Sequence, residues 1–501
     1  MKRKLSIAKI AGIILAVAQL ILSGILAMQF FDMGFLPVKL WAAITGVLTV
    51  LFFIVFVTQF FDKVHWIGKI VAVLVIIVLG FGIHYVGETN QALNDISKTA
   101  SIEKNQILVV VKKDSPAQTL DDLKTGSWGI QYADDVELMG KAADKLRKDL
   151  DANLNLTAFD DYEALYPALM SGQVDAMILN SSYLDLIDDL TMEEENYCFS
   201  DEIRIIDTLE FETEKEASLE PKVSEDFDIT KDPFIAYISG IDTYGDITTR
   251  SRSDVNILMI VNPATRQILL VTTPRDGYVV IPGISGSQKD KLTHAGIYGI
   301  NKSIETIDSI YDIDINYYAR VNFNSVINIV DALGGVDVYS KYDFTSGGNL
   351  GEQFHYTQGM NHLDGKQALA FSRERYSFGE GDNQRGKNQL EVIKGIVNKC
   401  TTPAILTGFS SIMDEISDQV QTNLPTDSIY ALVKMQLEDS RSWEMYSYAI
   451  TATGSREYCY SYTGKSLYVA NLSDSSIAHA KSLMEAVMNG DKITEADVNG
   501  D

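Results

Sequence analysis

ALAFSRERYSFGEGDNQRGKNQ, residues 368–389, places Arg373, Arg375 and Arg385 within thirteen positions of one another, in a chain whose net charge is −26. Residues two apart in an extended segment leave the same side, which pairs Arg373 with Arg375. A helical pattern starting near Gln384 puts Arg385 and Gln389, four apart, on one face. Three guanidiniums and an amide converging in this way suit an anion, because the planar fork of arginine matches phosphate oxygens. The competing arrangement is a surface loop in which these arginines pair with Glu374, Glu380, Asp382 and Glu391. Residues more than a hundred positions upstream weigh between the two.

There, Phe234–Ser239 is a short apolar strand running into Gly240-Ile241-Asp242. Asp254–Val261 is a strand that follows Arg250 and Arg252, and Gln267–Thr273 is its antiparallel neighbour across Asn262-Pro263. Helical periodicity falls at about 295–311, 323–333, 366–371 and 384–399, with extended segments at 316–321 and 336–339. A mixed sheet covered by helices, with polar loops along one rim, follows from this order. Asp242 and Asp254 then stand at strand ends, where two carboxylates can share a hard divalent ion such as Mg²⁺ that completes its shell with water and phosphate oxygens. An aspartate there also serves as an ordinary turn or cap residue. Arg275, in TTPRDGYV, follows the third strand at the same kind of position.

Taken in order, ISGIDTYG, RSRSDVNILMIVNP, LVTTPRDGYV, KLTHAGIYG, NFNSVINIVDALGGVDV and TQGMNHLDGKQALAFSRERYSFGEGDNQRGKNQ resemble the LytR-CpsA-Psr (LCP) family of cell-envelope proteins over about Asp232–Thr402. Three apolar N-terminal runs and an intervening outer module are similar to its CpsA-type branch, associated with capsular polysaccharide. The resemblance implies an LCP-type α/β domain and a metal-assisted phosphotransferase. Such an enzyme moves a glycopolymer, capsular or teichoic-acid-like, from an undecaprenyl-pyrophosphate carrier to peptidoglycan as a phosphodiester. By motif it implies Asp242 and Asp254 as ligands of Mg²⁺ (or Mn²⁺), and Arg252, Arg275, Arg373, Arg375, Arg385 and Gln389 as the pyrophosphate-binding set. Arg275 and Asp254 are the expected catalytic pair. One departure stands out: many members carry a basic residue before the glutamine, whereas Asn388 occupies that position and removes one charge from the expected site. Lys291 lies in a matching motif without an assigned role, and replacing Arg320 or Arg441, outside the motifs, is expected to change lipid affinity and transfer little if folding is preserved.

Phosphoryl transfer needs cationic positioning above all, and these residues supply it. No Ser/His/Asp or Cys/His arrangement suggests a covalent protein intermediate. Two other functions use the same residues: hydrolysis of a pyrophosphate lipid by water, and a non-enzymatic membrane regulator of polysaccharide assembly that grips lipid without turnover.

The first 87 residues are of different material. Ile10–Phe31 and Leu40–Phe61 carry no charge, and Ile70–Gly87 contains only His84 as a titratable group. Each is close to the ~20 apolar residues that cross a bilayer. Lys2, Arg3, Lys4 and Lys9 precede the first run, and Lys63 and Lys69 lie between the second and third. The positive-inside rule therefore puts the N-terminus in the cytoplasm and everything after the third span outside the cell. Only Asp32 and Asp62 are acidic within these residues, so nearly all the negative charge belongs to the outer part. Non-specific nucleic-acid binding by so acidic a part is excluded, and any anion site in it must be local. Cys198, Cys400 and Cys459 are too few for a disulfide framework.

After a juxtamembrane segment (88–103), residues 104–212 alternate strands and helices, an α/β pattern. SPAQTLDDLKTGSWGIQ and YPALMSGQVDAMILNSSYLDLI resemble one lobe of extracytoplasmic solute-binding proteins, and a lone lobe suggests a spacer or protein-contact module. The charged stretch 213–231 is a linker. The expected order is thus a three-helix transmembrane region (1–87), this accessory lobe, the linker, a catalytic domain (232–473) and a C-terminal helix with a polar tail (474–501).

Overall fold

The computed structural model describes residues 7–99, 102–132, 135–214, 220–241, 246–347, 352–379, 382–402 and 412–500 apart from 414–416 and 418. Among them, three helices are long and apolar enough to cross a membrane: Ile7–Met33, Val38–Thr58 and His65–Gln91. The last continues to Thr99. Nothing in ETNQALNDISKT breaks a helix, so most of the segment expected as a juxtamembrane connection extends the span, and the first strand starts at Ile102.

The accessory lobe is a five-stranded sheet in the order Asn155–Phe159, Ser127–Gln131, Ala176–Asn180, Ile102–Lys112, Ile203–Glu214. Alternation along the fourth strand in that order divides the core. Ile107, Val109 and Val111 meet the helix Val136–Asp149, whereas Leu108 and Val110 meet the helices Tyr162–Met170 and Leu184–Glu195. The second of these cores does not end at the lobe. Ile297, Cys459, Tyr462, Leu467 and Val469 of the downstream module belong to it. Polar contacts join the same surfaces: Lys104 Nζ lies 2.6 Å from Asp246 Oδ2, Arg250 Nε lies 2.9 Å from Glu103 Oε2, and Ser182 Oγ donates to the Arg250 carbonyl at 3.1 Å. Gly299, at φ +96°, sits where Glu103 approaches; a Cβ there would come within 2.8 Å of Glu103 Oε1. A spacer would not share a core with its neighbour.

The downstream module is built on a mixed six-stranded sheet in the order Val420–Thr422, Tyr317–Val321, Phe234–Ile241, Ser253–Asn262, Gln267–Thr272, Glu444–Ala449. Tyr237, Leu258, Ile260, Leu269 and Val271 face the helices Ile300–Tyr311 and Asp474–Asn489. The terminal segment 474–501 therefore shares this core, through Ala480, Leu483, Met484, Val487, Ile493 and Val498. The opposite face, with Ile257, Val261, Ile268 and Leu270, meets Leu390 of the helix Asp382–Cys400. Arg320, outside the motifs, is buried, and its Nη2 donates to the Thr249 carbonyl at 2.7 Å, so its replacement bears on folding first. All three cysteines are free.

The connection between the first two apolar helices and the C-terminal part of the third helix are tied to this module. Phe35 stacks on Tyr430 with ring centroids 5.9 Å apart, Thr426 Oγ1 donates to the Leu93 carbonyl at 3.2 Å, and Tyr430 Oη donates to Asn90 Oδ1 at 3.3 Å.

Candidate active site

Asp254 lies at the start of the strand Ser253–Asn262. The neighbouring strand ends at Thr272, and the chain leaving it brings Arg275 back so that Nη1 donates to Asp254 Oδ2 at 2.5 Å. Thr293 Oγ1 donates to Asp254 Oδ1 at 2.8 Å. Burial alone would push the Asp254 carboxyl up, but Arg275, Arg252 and Arg385 outweigh it and hold the group well below the usual carboxylate range. Lys291 is buried with its Nζ 3.6 Å from Asp276 Oδ1, and Asp276 Oδ2 is 3.8 Å from Arg275 Nε. That gives Lys291 a structural place, as positive charge behind the Arg275–Asp254 pair.

The arginine stretch differs from an extended pair at its start. Asp364 and Gln367 form a capping box, and the helix they open runs through Arg373, leaving only Arg375 beyond it. Both nevertheless line the same cavity. The Arg373 guanidinium lies over the Phe323 ring, Cζ 4.1 Å from its centroid, and Arg375 Nη2 donates to the Tyr376 hydroxyl at 2.9 Å. Glu374, between them, is buried and accepts from the Gly347 amide at 2.6 Å and the Ser377 amide at 2.9 Å. Glu391 pairs with Lys394. Two of the carboxylates expected to neutralise the cluster are thus spent elsewhere.

Asn388 also behaves differently from a lost charge. It is buried, accepts from Gln384 Nε2 at 2.9 Å and donates to the Phe371 carbonyl at 3.2 Å, tethering the helix Asp382–Cys400 to the helix Gly365–Arg373. The cavity is lined instead by Arg385 and Gln389 of that helix.

The cavity, of ≈ 430 Å³, lies between the sheet and the helices Phe323–Ala332, Gly365–Arg373 and Asp382–Cys400. Its lining divides by chemistry. Asp189, Arg252, Asp254, Arg275, Arg373, Arg375, Arg385 and Gln389 form one part; Ile238, Ile241, Val255, Met259, Ala319, Val326, Ile329, Val392, Ile396 and Val420 are among those forming the other. Ile329 and Ile396 also pack in the apolar cluster that contains Leu93, so part of the cavity's apolar wall belongs to the same cluster as the C-terminal part of the helix His65–Thr99. Of the expected site residues, seven line one cavity; Asp242 lies outside the described residues. Thr293 and Asp189, the latter from the accessory lobe, join the site unannounced by any sequence signal, and the apolar residues of the wall look in sequence like those of the core.

No cluster of three or more His, Cys, Asp or Glu side chains suits a metal among the described residues. A Mg²⁺ ion needs fewer, since it keeps several waters and takes phosphate oxygens. Asp254 is held ionised, and each of its oxygens has a lone pair beyond those used by Arg275 and Thr293, so it fits as one ligand of such an ion.

A model described as the LytR_cpsA_psr family matches residues 204–477. A second, described as DNA polymerase processivity factor, matches residues 62–179, joining the last apolar helix to part of the accessory lobe and stopping short of the strand Ile203–Glu214. Among curated proteins, the polyisoprenyl-teichoic acid–peptidoglycan teichoic acid transferase TagU of Bacillus cereus (strain AH820) is 36% identical over 204 residues, 40% of this chain. The protein of the same name from Enterococcus faecalis (strain ATCC 700802 / V583) is 37% identical over 201 residues, also 40% of this chain. The chain spans 64% of the length of either relative. Among solved structures, B. subtilis TagU has 27% identity, with 53% of this chain and 100% of that chain covered and a TM-score of 0.41. "TagT bound to LIIa-WTA" has 24% identity, with coverage of 53% and 94% and a TM-score of 0.42.

Proposed function

Because the chain belongs to the LytR-CpsA-Psr family, we propose that it is a membrane-anchored phosphotransferase that moves a glycopolymer, of capsular or teichoic-acid type, from a polyprenyl-pyrophosphate carrier to peptidoglycan. The observation that carries this reading is one cavity joining a cationic part to an apolar part, with an apolar wall shared by a membrane-length helix. That is the shape of demand made by a pyrophosphate on a long hydrocarbon tail.

In this reading Arg373, Arg375 and Arg385 fork the pyrophosphate oxygens, and Gln389 donates its amide beside them. A hydroxyl of peptidoglycan attacks the phosphorus bearing the glycopolymer. The new P–O bond forms as the bond to the bridging oxygen breaks, the electron pair leaves with the polyprenyl phosphate, and the hydroxyl proton is released. Arg275 stands where it can neutralise the departing phosphate, and a single donor aimed at developing charge is worth about 3 kcal/mol of barrier. Asp254, with Asp242, would hold Mg²⁺ or Mn²⁺, which when bound offsets charge on the phosphate oxygens. The accessory and catalytic modules lie outside the cell, next to acceptor and carrier.

Support comes from the relatives in Bacillus cereus and Enterococcus faecalis, which are polyisoprenyl-teichoic acid–peptidoglycan teichoic acid transferases. The test is transfer of labelled glycopolymer from its carrier lipid to peptidoglycan by the full-length protein, with Arg373→Ala and Arg385→Ala as variants. Each should lose roughly tenfold to a hundredfold in lipid affinity, the worth of a charged hydrogen bond. Release of label at the same rate with and without acceptor would make the protein a hydrolase. Lipid binding without turnover would make it a regulator.

A further inference from the structure

The accessory lobe reaches into the anion site through one residue. Asp189, on the helix Leu184–Glu195, accepts from Arg252 Nη1, and Asp185, one turn earlier on that helix, lies 3.7 Å from Arg252 Nε. The Arg252 side chain is only 5% exposed, whereas that of Asp189 is 37% exposed and lines the cavity beside Asp254, Arg275 and Arg385. Asp189 does not arrive there on a loose arm. Its helix packs in the core shared with the downstream module, and Ser182, just before that helix, donates to the carbonyl of Arg250, two residues from Arg252. A carboxylate carries the same charge sign and the same acceptor geometry toward a guanidinium as a phosphate does.

We propose that Asp189 is an affinity-setting residue of the anion site: an internal counter-anion on Arg252 that a ligand phosphate must displace. The inference rests on the reading of this cavity as a pyrophosphate site. The accessory lobe is then a working part of that site rather than a neighbour of it. An acidic residue placed there weakens the hold on every anionic species in the cavity, including the lipid phosphate that must leave after transfer. Burial favours the protonated acid at Asp189, but Arg252, Arg275 and Lys291 overcome this and keep its carboxyl below the ordinary value, so the counter-anion is charged at neutral pH.

The test uses the full-length protein in detergent and geranyl pyrophosphate as a soluble probe, with affinity read by calorimetry. Asp189→Asn should bind roughly three- to tenfold more tightly than wild type at low salt, with the gain shrinking as salt is raised. In an Arg252→Ala background the same substitution should gain clearly less, because the competing pair no longer exists and only the loss of a negative charge beside Arg275 remains. A purely structural role would instead lower the melting temperature without tightening binding. Asp189→Ser, which removes the charge and leaves room for water, is read in the same way if the asparagine variant does not fold. Unchanged or weaker binding by a folded variant, while wild type binds the probe, overturns the inference alone. Absence of binding by wild type and all variants overturns the pyrophosphate reading beneath it.

Discussion

Ala319 provides the sharpest way to separate tail from headgroup. It lies in the strand Tyr317–Val321, paired with Ile238 on one side and Thr422 on the other, and lines the cavity among apolar neighbours. Ala319→Phe adds a ring to a space of ≈ 430 Å³, so the fold has room for it while the tail loses the place the ring takes. A ring displaces the volume of several methylenes, each worth about 0.8 kcal/mol when buried. Allowing for partial rearrangement of the tail, affinity for a long-chain polyprenyl pyrophosphate should fall by about 3 kcal/mol, or roughly a hundredfold. Inorganic pyrophosphate, which needs only the arginines, should bind as it does to wild type. Calorimetry with both ligands on full-length protein reads the two effects together. If the long-chain lipid binds Ala319→Phe and wild type alike, the tail does not lie in this cavity.

Acid should act on the site through Asp254. Its carboxyl is held below the usual range, so its stabilising contribution is full above the unfolded value of about 3.9 and is lost as pH falls through the folded one. Melting temperatures followed downward from neutral pH should therefore drop further for wild type than for Asp254→Asn, and parallel curves would contradict the assignment. Asn388→Lys supplies the basic residue that the family resemblance leads one to expect there, but it would bury an amine and break the bonds to Gln384 and Phe371. Denaturant titration should give a loss of about 2–4 kcal/mol without tighter anion binding, and a stable, tighter-binding variant would refute the structural role. Protease added to intact protoplasts should remove epitopes in both outer modules, including one near Gly490; protection would reverse the proposed topology.

The membrane-length helices and the central strands were legible because each rests on a local signal, an uncharged run of spanning length or an alternating apolar strand. The arginine cluster was legible as residue types, yet the helical placement of Arg373 depended on a cap at Asp364 nine residues earlier. The edge strands Val420–Thr422 and Glu444–Ala449 carried too little pattern of their own; pairing with Tyr317–Val321 and Gln267–Thr272 makes them strands. Contacts between distant segments were not legible at all. Nothing near Asp189 in sequence points to Arg252, and nothing in Ile329 or Ile396 distinguishes a cavity wall from a core. Arg320 shows the same limit from the other side: outside every motif, it is buried and bonded.

The most direct measurement is a structure of the full-length protein with a polyprenyl pyrophosphate bound. Both phosphates should lie within hydrogen-bonding distance of Arg373, Arg375 and Arg385, one of them near Arg275, with the first isoprene units between Ala319, Val326 and Val392. Phosphates seated away from these arginines, or a tail lying outside the cavity, would contradict the pyrophosphate reading.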